Sequence, residues 1–233
     1  MAEPPPFRRN RPLQWMIAWL AGLWLVTAIA PFNRFDWLLE NLLVFIYGLL
    51  LLATYCRFAF SNTSYGLFTV FLSLHLIGAH YTYAETPFGF WLRDAFDLTR
   101  NHYDRIVHFA YGLLIAYPFR EILLRAAGVR PGWSYFLAVT AVLGFSGFYE
   151  VLEAVVAMIV SPELGDAYLG TQGDIWDAQR DMGLAFAGAI LAMLATAWRQ
   201  RKNALAPRVL MPKLPAKKTL DQRNVCSRIP ATS

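Results

Sequence analysis

"WLLENLLVFIYGLLLLATYCRF", residues 37–58, is 22 residues of nearly unbroken apolar character, with Glu40 and Asn41 near one end and Arg57 at the other. An α-helix rises about 1.5 Å per residue, so roughly 20 such residues match a hydrocarbon core about 30 Å thick. Inside that core no water satisfies the backbone, and only a helix pairs all of its own N–H and C=O groups within one segment. The rest of the chain agrees with this stretch. Of 233 residues, 57% are hydrophobic and 16% charged, and the mean hydropathy is +0.37. That is too apolar for a soluble domain with a solvated surface.

Five more stretches have the same character: Leu13 to Ala30, Ser64 to Tyr83, Tyr103 to Phe119, Tyr135 to Val160 and Trp176 to Trp198. The expected fold is all-α, a polytopic membrane protein built as a bundle of six transmembrane helices over residues 13–198. A basic cytoplasmic arm, 1–12, precedes it, and a basic tail, 199–233, follows. The tail contains prolines and lacks an apolar period, so it is expected to be a disordered arm near anionic headgroups. The first stretch shares features with a secretory signal, since Arg8, Arg9 and Arg11 precede it and "AIA" ends it. Pro31 would follow the cleavage point and the chain then re-enters the membrane, so an uncleaved anchor is expected. Two cysteines, Cys56 and Cys226, suggest neither a disulfide framework nor a zinc cluster.

Basic residues give the orientation. Of 21 Lys and Arg, 16 fall on the side of the two termini: three in the arm, Arg57, then Arg120, Arg125 and Arg130, and nine from Arg199 on. Arg34, Arg93 and Arg100 lie on the other side, with Arg105 and Arg180 at span ends. The positive-inside rule makes both termini cytoplasmic. The net charge of +5 arises from this asymmetry and is not read as nucleic-acid binding; membrane lipid is the expected partner, and the oligomeric state is left open.

With orientation assigned, the ionisable groups converge on the outer level. His75, His80 and Glu85 lie at the outer end of span three. Asn101, His102, Asp104, Arg105 and His108 occupy the start of span four, Glu150 and Glu153 the upper part of span five, and Asp174, Asp177, Arg180 and Asp181 the start of span six. The inner halves carry only small hydroxyls, Tyr and Cys56. At 100° per residue, Asn101, Asp104, Arg105 and His108 share about 100° of arc, and Asp174, Asp177 and Asp181 about 60°. His75 and His80 stand about 140° apart, so a regular helix cannot aim both at one point.

Charge then argues for chemistry. Eight carboxylates (Glu40, Glu85, Asp104, Glu150, Glu153, Asp174, Asp177 and Asp181) face Arg105 and Arg180 at this level. Unpaired buried carboxylates cost several kcal/mol each or take up protons, so a divalent cation or bound protons are expected. All four histidines lie in the same zone, and mixed imidazole and carboxylate ligation suits Zn, Mn or Fe. The expected ligands are His102, Asp104, His108, Asp174, Asp177 and Asp181. Glu150, Glu153 and His80 are expected to act in catalysis, with His75, Glu85, Asn101, Arg105 and Arg180 as further polar members. Interhelical packing is the alternative for any single one of them.

Several strings together, "HLIGAHYTYAETPFG", "RNHYDRIVHFAYG", "FYEVLEAV" and "YLGTQGDIWDAQRDM", resemble the bacterial YjdF-type inner membrane proteins over about residues 10 to 200. The resemblance implies a six-span inner membrane protein and lends no activity. "SGFYEVLE" followed by Asp-x-x-Asp-x-x-x-Asp is more faintly similar to the last two spans of VanZ-type proteins. Asp181 stands where those have Asn, and Leu184 replaces an expected Gly.

No P-loop, G-x-S-x-G elbow, H-E-x-x-H or three-span repeat is present. Two classes of function remain. One is a membrane enzyme open to the periplasm, expected to perform metal-assisted hydrolysis or group transfer on a lipid or envelope intermediate. The other is a transporter or proton-coupled carrier, with a non-enzymatic membrane partner as a third possibility. Alternating access needs a path through both leaflets, and the inner half offers no ionisable step, which favours the enzyme.

Overall fold

A computed structural model describes residues 5–205. The elements in chain order are α1 (Arg11–Thr27), α2 (Arg34–Thr54), α3 (Asn62–His80), α4 (Pro87–Ala95), α5 (Tyr103–Arg125), α6 (Pro131–Ile159), α7 (Pro162–Leu169) and α8 (Asp177–Leu205). Local chemistry sets many of their starts. The Asn10 side chain accepts from the Leu13 N–H, Asn33 from those of Phe35 and Asp36, and Ser61 from that of Ser64. These are the orphan donors that a helix N-terminus leaves. Pro87 and Pro131 open α4 and α6, where a missing N–H costs nothing.

Among the described residues four helices, α2, α5, α6 and α8, are long and apolar enough to cross a membrane. α1 has 17 residues and α3 has 19. The outward faces are greasy. On α2 alone, Leu38, Leu42, Phe45, Ile46, Leu49, Leu50 and Leu52 are all exposed, a pattern that water would penalise and lipid does not. The chain is thus an all-helical, multi-pass membrane protein.

α5 is the hub, packing on α8, α6 and α3, while α1 and α2 pack on α3. Its contact with α8 is the closest in the bundle. A Cβ on Gly112 would stand 1.8 Å from the Ala185 carbonyl oxygen, and one on Gly188 would stand 2.3 Å from that of Phe109. Ala116, Ala185, Ala189 and Ala192 continue this seam. Small residues let two backbones touch, which is how helices gain packing energy where lipid removes the hydrophobic drive.

Two features differ from the sequence expectation. α5 runs past Phe119 to Arg125, so Arg120 and Glu121 are helical and buried and do not lie in a cytoplasmic connection. Glu121 accepts from the Ser61 N–H at 2.8 Å, the Ser61 hydroxyl at 2.8 Å, the Ser64 hydroxyl and the Arg125 guanidinium. The C-terminal end of α5, expected to be free of buried ionisable groups, therefore does hold buried charge. α8 also continues to Leu205, and the remainder of the basic tail, with Cys226, lies outside the described residues. Cys56 is not a free thiol.

Candidate functional site

The end of the α5–α8 seam where both helices begin and α5 carries Asp104 opens into a polar centre. Asp104 and His108 are one helical turn apart on α5, so they present one face; His108 Nε2 is 3.5 Å from Asp104 Oδ1 and 3.7 Å from Glu150 Oε1 on α6. α8 contributes Asp181, and one ligand atom each from Asp104, His108 and Asp181 lie within 4.8 Å of one another. Asp181 Oδ1, Glu150 Oε1 and Ser146 Oγ are buried without a hydrogen-bond partner among the described residues. Buried polar oxygens are ordinarily paired, so their clustering marks a place built for something cationic or protic.

Asp174 and Asp177, expected as ligands beside them, are engaged by arginines. Arg100 Nη1 donates to Asp177 Oδ1 at 2.6 Å and lies 3.6 Å from Asp174 Oδ2. Arg105 bridges Asp174 and Asp177, and Arg180 also pairs with Asp174. Burial raises the Asp174 pKa, but the Trp176 N–H and the cations of Arg180 and Arg105 outweigh it and hold the carboxyl below its ordinary range. His102 faces this rim, and Arg105 Nη1 donates to its Nδ1 at 3.3 Å. Burial first, then the charges of Arg105 and Arg100, depress its pKa below the ordinary histidine value. A charge count that leaves Arg100 outside the cluster misses this rim. The loop before α5 folds Arg100 back onto the carbonyls of Thr171 and Gly170, at 2.8 and 3.3 Å.

A third group lies on the α2 and α3 side. Tyr149 donates to Glu40 Oε2 at 3.1 Å, His75 Nε2 sits 3.2 Å from the Glu40 carbonyl, and the Tyr83 hydroxyl meets His75 Nδ1 at 2.6 Å. Glu153 lies beside Tyr149 and Glu150, joining this group to the first. Tyr83 reaches His75 because Gly78 leaves room; a Cβ there would be 2.5 Å from the ring. Thr82 and Tyr83 both adopt left-handed backbone, φ 49° and 52°, which costs energy in residues other than Gly and persists only where the surroundings enforce it.

The remaining expected members fall elsewhere. His80 turns away to the Thr27 carbonyl on α1, Nδ1 to oxygen 2.9 Å, as its phase against His75 requires. Glu85 sits on the turn after α3, its N–H bonded to the Tyr81 carbonyl. Asn101 is spent on structure: its side chain bonds Thr86 and the Tyr103 N–H, and its backbone pairs with Gln172 in both directions. The sequence reading did not single out Tyr83, Tyr149 or Arg100 for the site. Tyr149 had a visible signal, its place in "YEVLE" beside Glu150 and Glu153.

Inner membrane protein YjdF of Escherichia coli (strain K12) is 37% identical over 171 residues, which is 73% of this chain and 81% of that relative. No solved structure matches the chain. The family model described as "Predicted membrane protein (DUF2238)" matches residues 12–202, which takes in α2 to α7, nearly all of α1 and α8, and every residue of the polar centre. The chain therefore belongs to the DUF2238 family of predicted membrane proteins.

Proposed function

We propose that this is a six-span protein of the bacterial inner membrane, with both termini in the cytoplasm. Its outer polar centre, on this reading, is the reaction site of a metal-dependent hydrolase or transferase acting on a lipid or envelope intermediate. The similarity to an inner membrane protein supports the location. For the span count, α1 and α3 carry the argument. Their 17 and 19 residues reach about 25 to 29 Å at 1.5 Å per residue, and Trp15, Trp19, Leu25, Val26 and Ile29 on and just after α1 are exposed as lipid-facing residues would be.

One observation carries the site: Asp104, His108 and Asp181 converge within 4.8 Å, and the unpartnered oxygens of Asp181 and Glu150 adjoin them. This donor set suits Zn, Mn or Fe. A divalent ion held there would polarise a substrate oxygen and make water more acidic. Glu150 and Glu153 are placed to take up the proton that such a water gives up. Tyr149 and Tyr83 orient Glu40 and His75 behind them. A carrier reading is less well supported, because Glu121, the acid at the inner end, is saturated by four donors and offers no vacant step.

The test is metal analysis of protein purified without chelators. One equivalent of Zn, Mn or Fe is expected in the native protein, and under a tenth of that in Asp181→Asn. A native protein that holds no stoichiometric metal, and gains no thermal stability when each ion is added, would sink the proposal.

A further inference from the structure

Opposite charges alternate along the two helices that form the centre. On α5 Asp104 is followed by Arg105, and on α8 Arg180 is followed by Asp181. Adjacent helical positions point 100° apart, so the acids turn into the centre and the arginines form a rim beside it. Arg100 joins them, and all three guanidinium groups address a single oxygen, Asp174 Oδ2. Asp174 and Asp177 are the carboxylates these guanidinium groups pair with directly, while Asp104 and Asp181 lie beyond them in the centre. The Nε–H groups of Arg100 and Arg105 are also buried without a partner among the described residues. Arg105 and Arg180 hydrogen-bond Asp174 Oδ2, while the Arg100 Nη groups are spent on Asp177 and the carbonyls of Thr171 and Gly170, so the donors left over on the rim are these two Nε–H groups and the exposed remainder of the Arg180 fork. A tetrahedral anion with several oxygens would serve them better, since guanidinium binds phosphate through paired N–H groups.

The apolar surroundings indicate what carries that anion. Ile175 and Trp176, between Asp174 and Asp177, are 85% and 56% exposed. Phe88 and Trp91 on α4 stack at 5.7 Å and are also exposed. Aromatic and aliphatic groups beside a charged rim are the interface where a headgroup meets its acyl chains.

We propose that the Arg100, Arg105 and Arg180 rim binds the phosphate group of a phosphate-ester lipid, with the ester directed toward Asp104, His108 and Asp181. The proposal rests on the reading of that centre as the reaction site, and it names the substrate class. Arg180 is the variant of choice, because its side chain is 54% exposed and its loss leaves the buried Arg100–Asp177 pair intact.

The full-length protein in detergent is titrated with short-chain phosphatidic acid, with the diacylglycerol of the same chains and with inorganic phosphate; tryptophan fluorescence and thermal shift report binding. Phosphatidic acid should bind at least about tenfold more tightly than the diacylglycerol, and Arg180→Gln should weaken it about tenfold. Arg180→Lys should recover part of the loss, and metal content should stay unchanged in both variants. Inorganic phosphate that competes at similar concentration would assign the site to soluble phosphate esters, while competition only at far higher concentration supports a lipid. Equal affinity for phosphatidic acid and diacylglycerol, or affinity unchanged in both Arg180→Gln and a folded Arg105→Gln, overturns the proposal. Arginine-dependent binding in a protein without metal would retain the rim and remove the metal centre.

Discussion

α5 carries a carboxylate near each end, Glu121 fully buried and Asp104 partly so, and the two differ in kind. Glu121 is surrounded by donors: the Ser61 N–H, two serine hydroxyls and Arg125. Asp104, about 25 Å along the same helix at 1.5 Å per residue, faces His108, Asp181 and, through His108, Glu150, where two carboxylate oxygens lack any partner among the described residues. A saturated buried acid fixes geometry. A set of unsaturated ones costs stability and is retained for what it can bind or transfer. Even Arg120, whose Nε and Nη1 have no hydrogen-bond partner among the described residues, lies face-on to the Tyr135 ring at 4.1 Å, so the Glu121 end covers its charge by other means.

This contrast breaks down if the two acids respond alike to removal. Glu121→Ala should have the largest effect, a loss of about 3 to 5 kcal/mol, because it strands Arg125 and the serine hydroxyls without their acceptor. Thermal unfolding in detergent reads it, and a loss under 1 kcal/mol would contradict the structural role. Gly78→Ala should come next, at about 1 to 3 kcal/mol, since its methyl group forces the Tyr83 ring off His75. The same unfolding measurement applies, and Gly78→Ala in a Tyr83→Ala background should cost little. Asp181→Asn should change stability by about 1 kcal/mol or less, in either direction, when metal-free. A loss as large as that of Glu121→Ala would make the outer acids structural too.

The smallest effect concerns pH. His102 has a folded-state pKa below its ordinary 6.5, so the fold favours its neutral form. Its contribution is complete above pH 6.5 and is lost as the pH falls through the lower folded value. Arg100 and Arg105 face it along with Asp174 and Asp177. Asp174 is held ionised below the ordinary carboxylate range, so it does not titrate in that window. Stability measured from pH 7.5 downward should therefore decline below 6.5 in the native protein and less steeply in His102→Gln; parallel curves would remove His102 as the cause.

The helices and the shared faces of their charged residues were legible because they rest on short-range rules. Apolar length gives spans, and 100° per residue places Asp104 with His108 and separates His75 from His80. Contacts that depend on connections were not legible. Nothing in "LTRNHYD" says that Arg100 will fold back on α8 and take Asp177, and that single loop conformation changes two expected ligands into partners of an arginine rim. Tyr83 was hidden for a similar reason, since its reach to His75 depends on left-handed backbone at residues 82 and 83 and on the space above Gly78. The end of α5 was misplaced because Arg120 and Glu121 read as a membrane exit, when their burial is supplied by partners 60 and 80 positions away in sequence, Ser61 and Gln200.

The backbone contact between α5 and α8 also bears on the order of assembly. Gly112 and Gly188 are 76 positions apart, and each close approach needs both helices in place. During synthesis α5 enters the membrane before α8 exists, with Asp104 and His108 already on it but neither Asp181 nor Arg180 to meet. A nascent chain therefore holds half a site with no geometry for a ligand. The full centre forms in one step when α8 docks, so chains released before Gly188 should lack it whatever α1 to α7 have achieved.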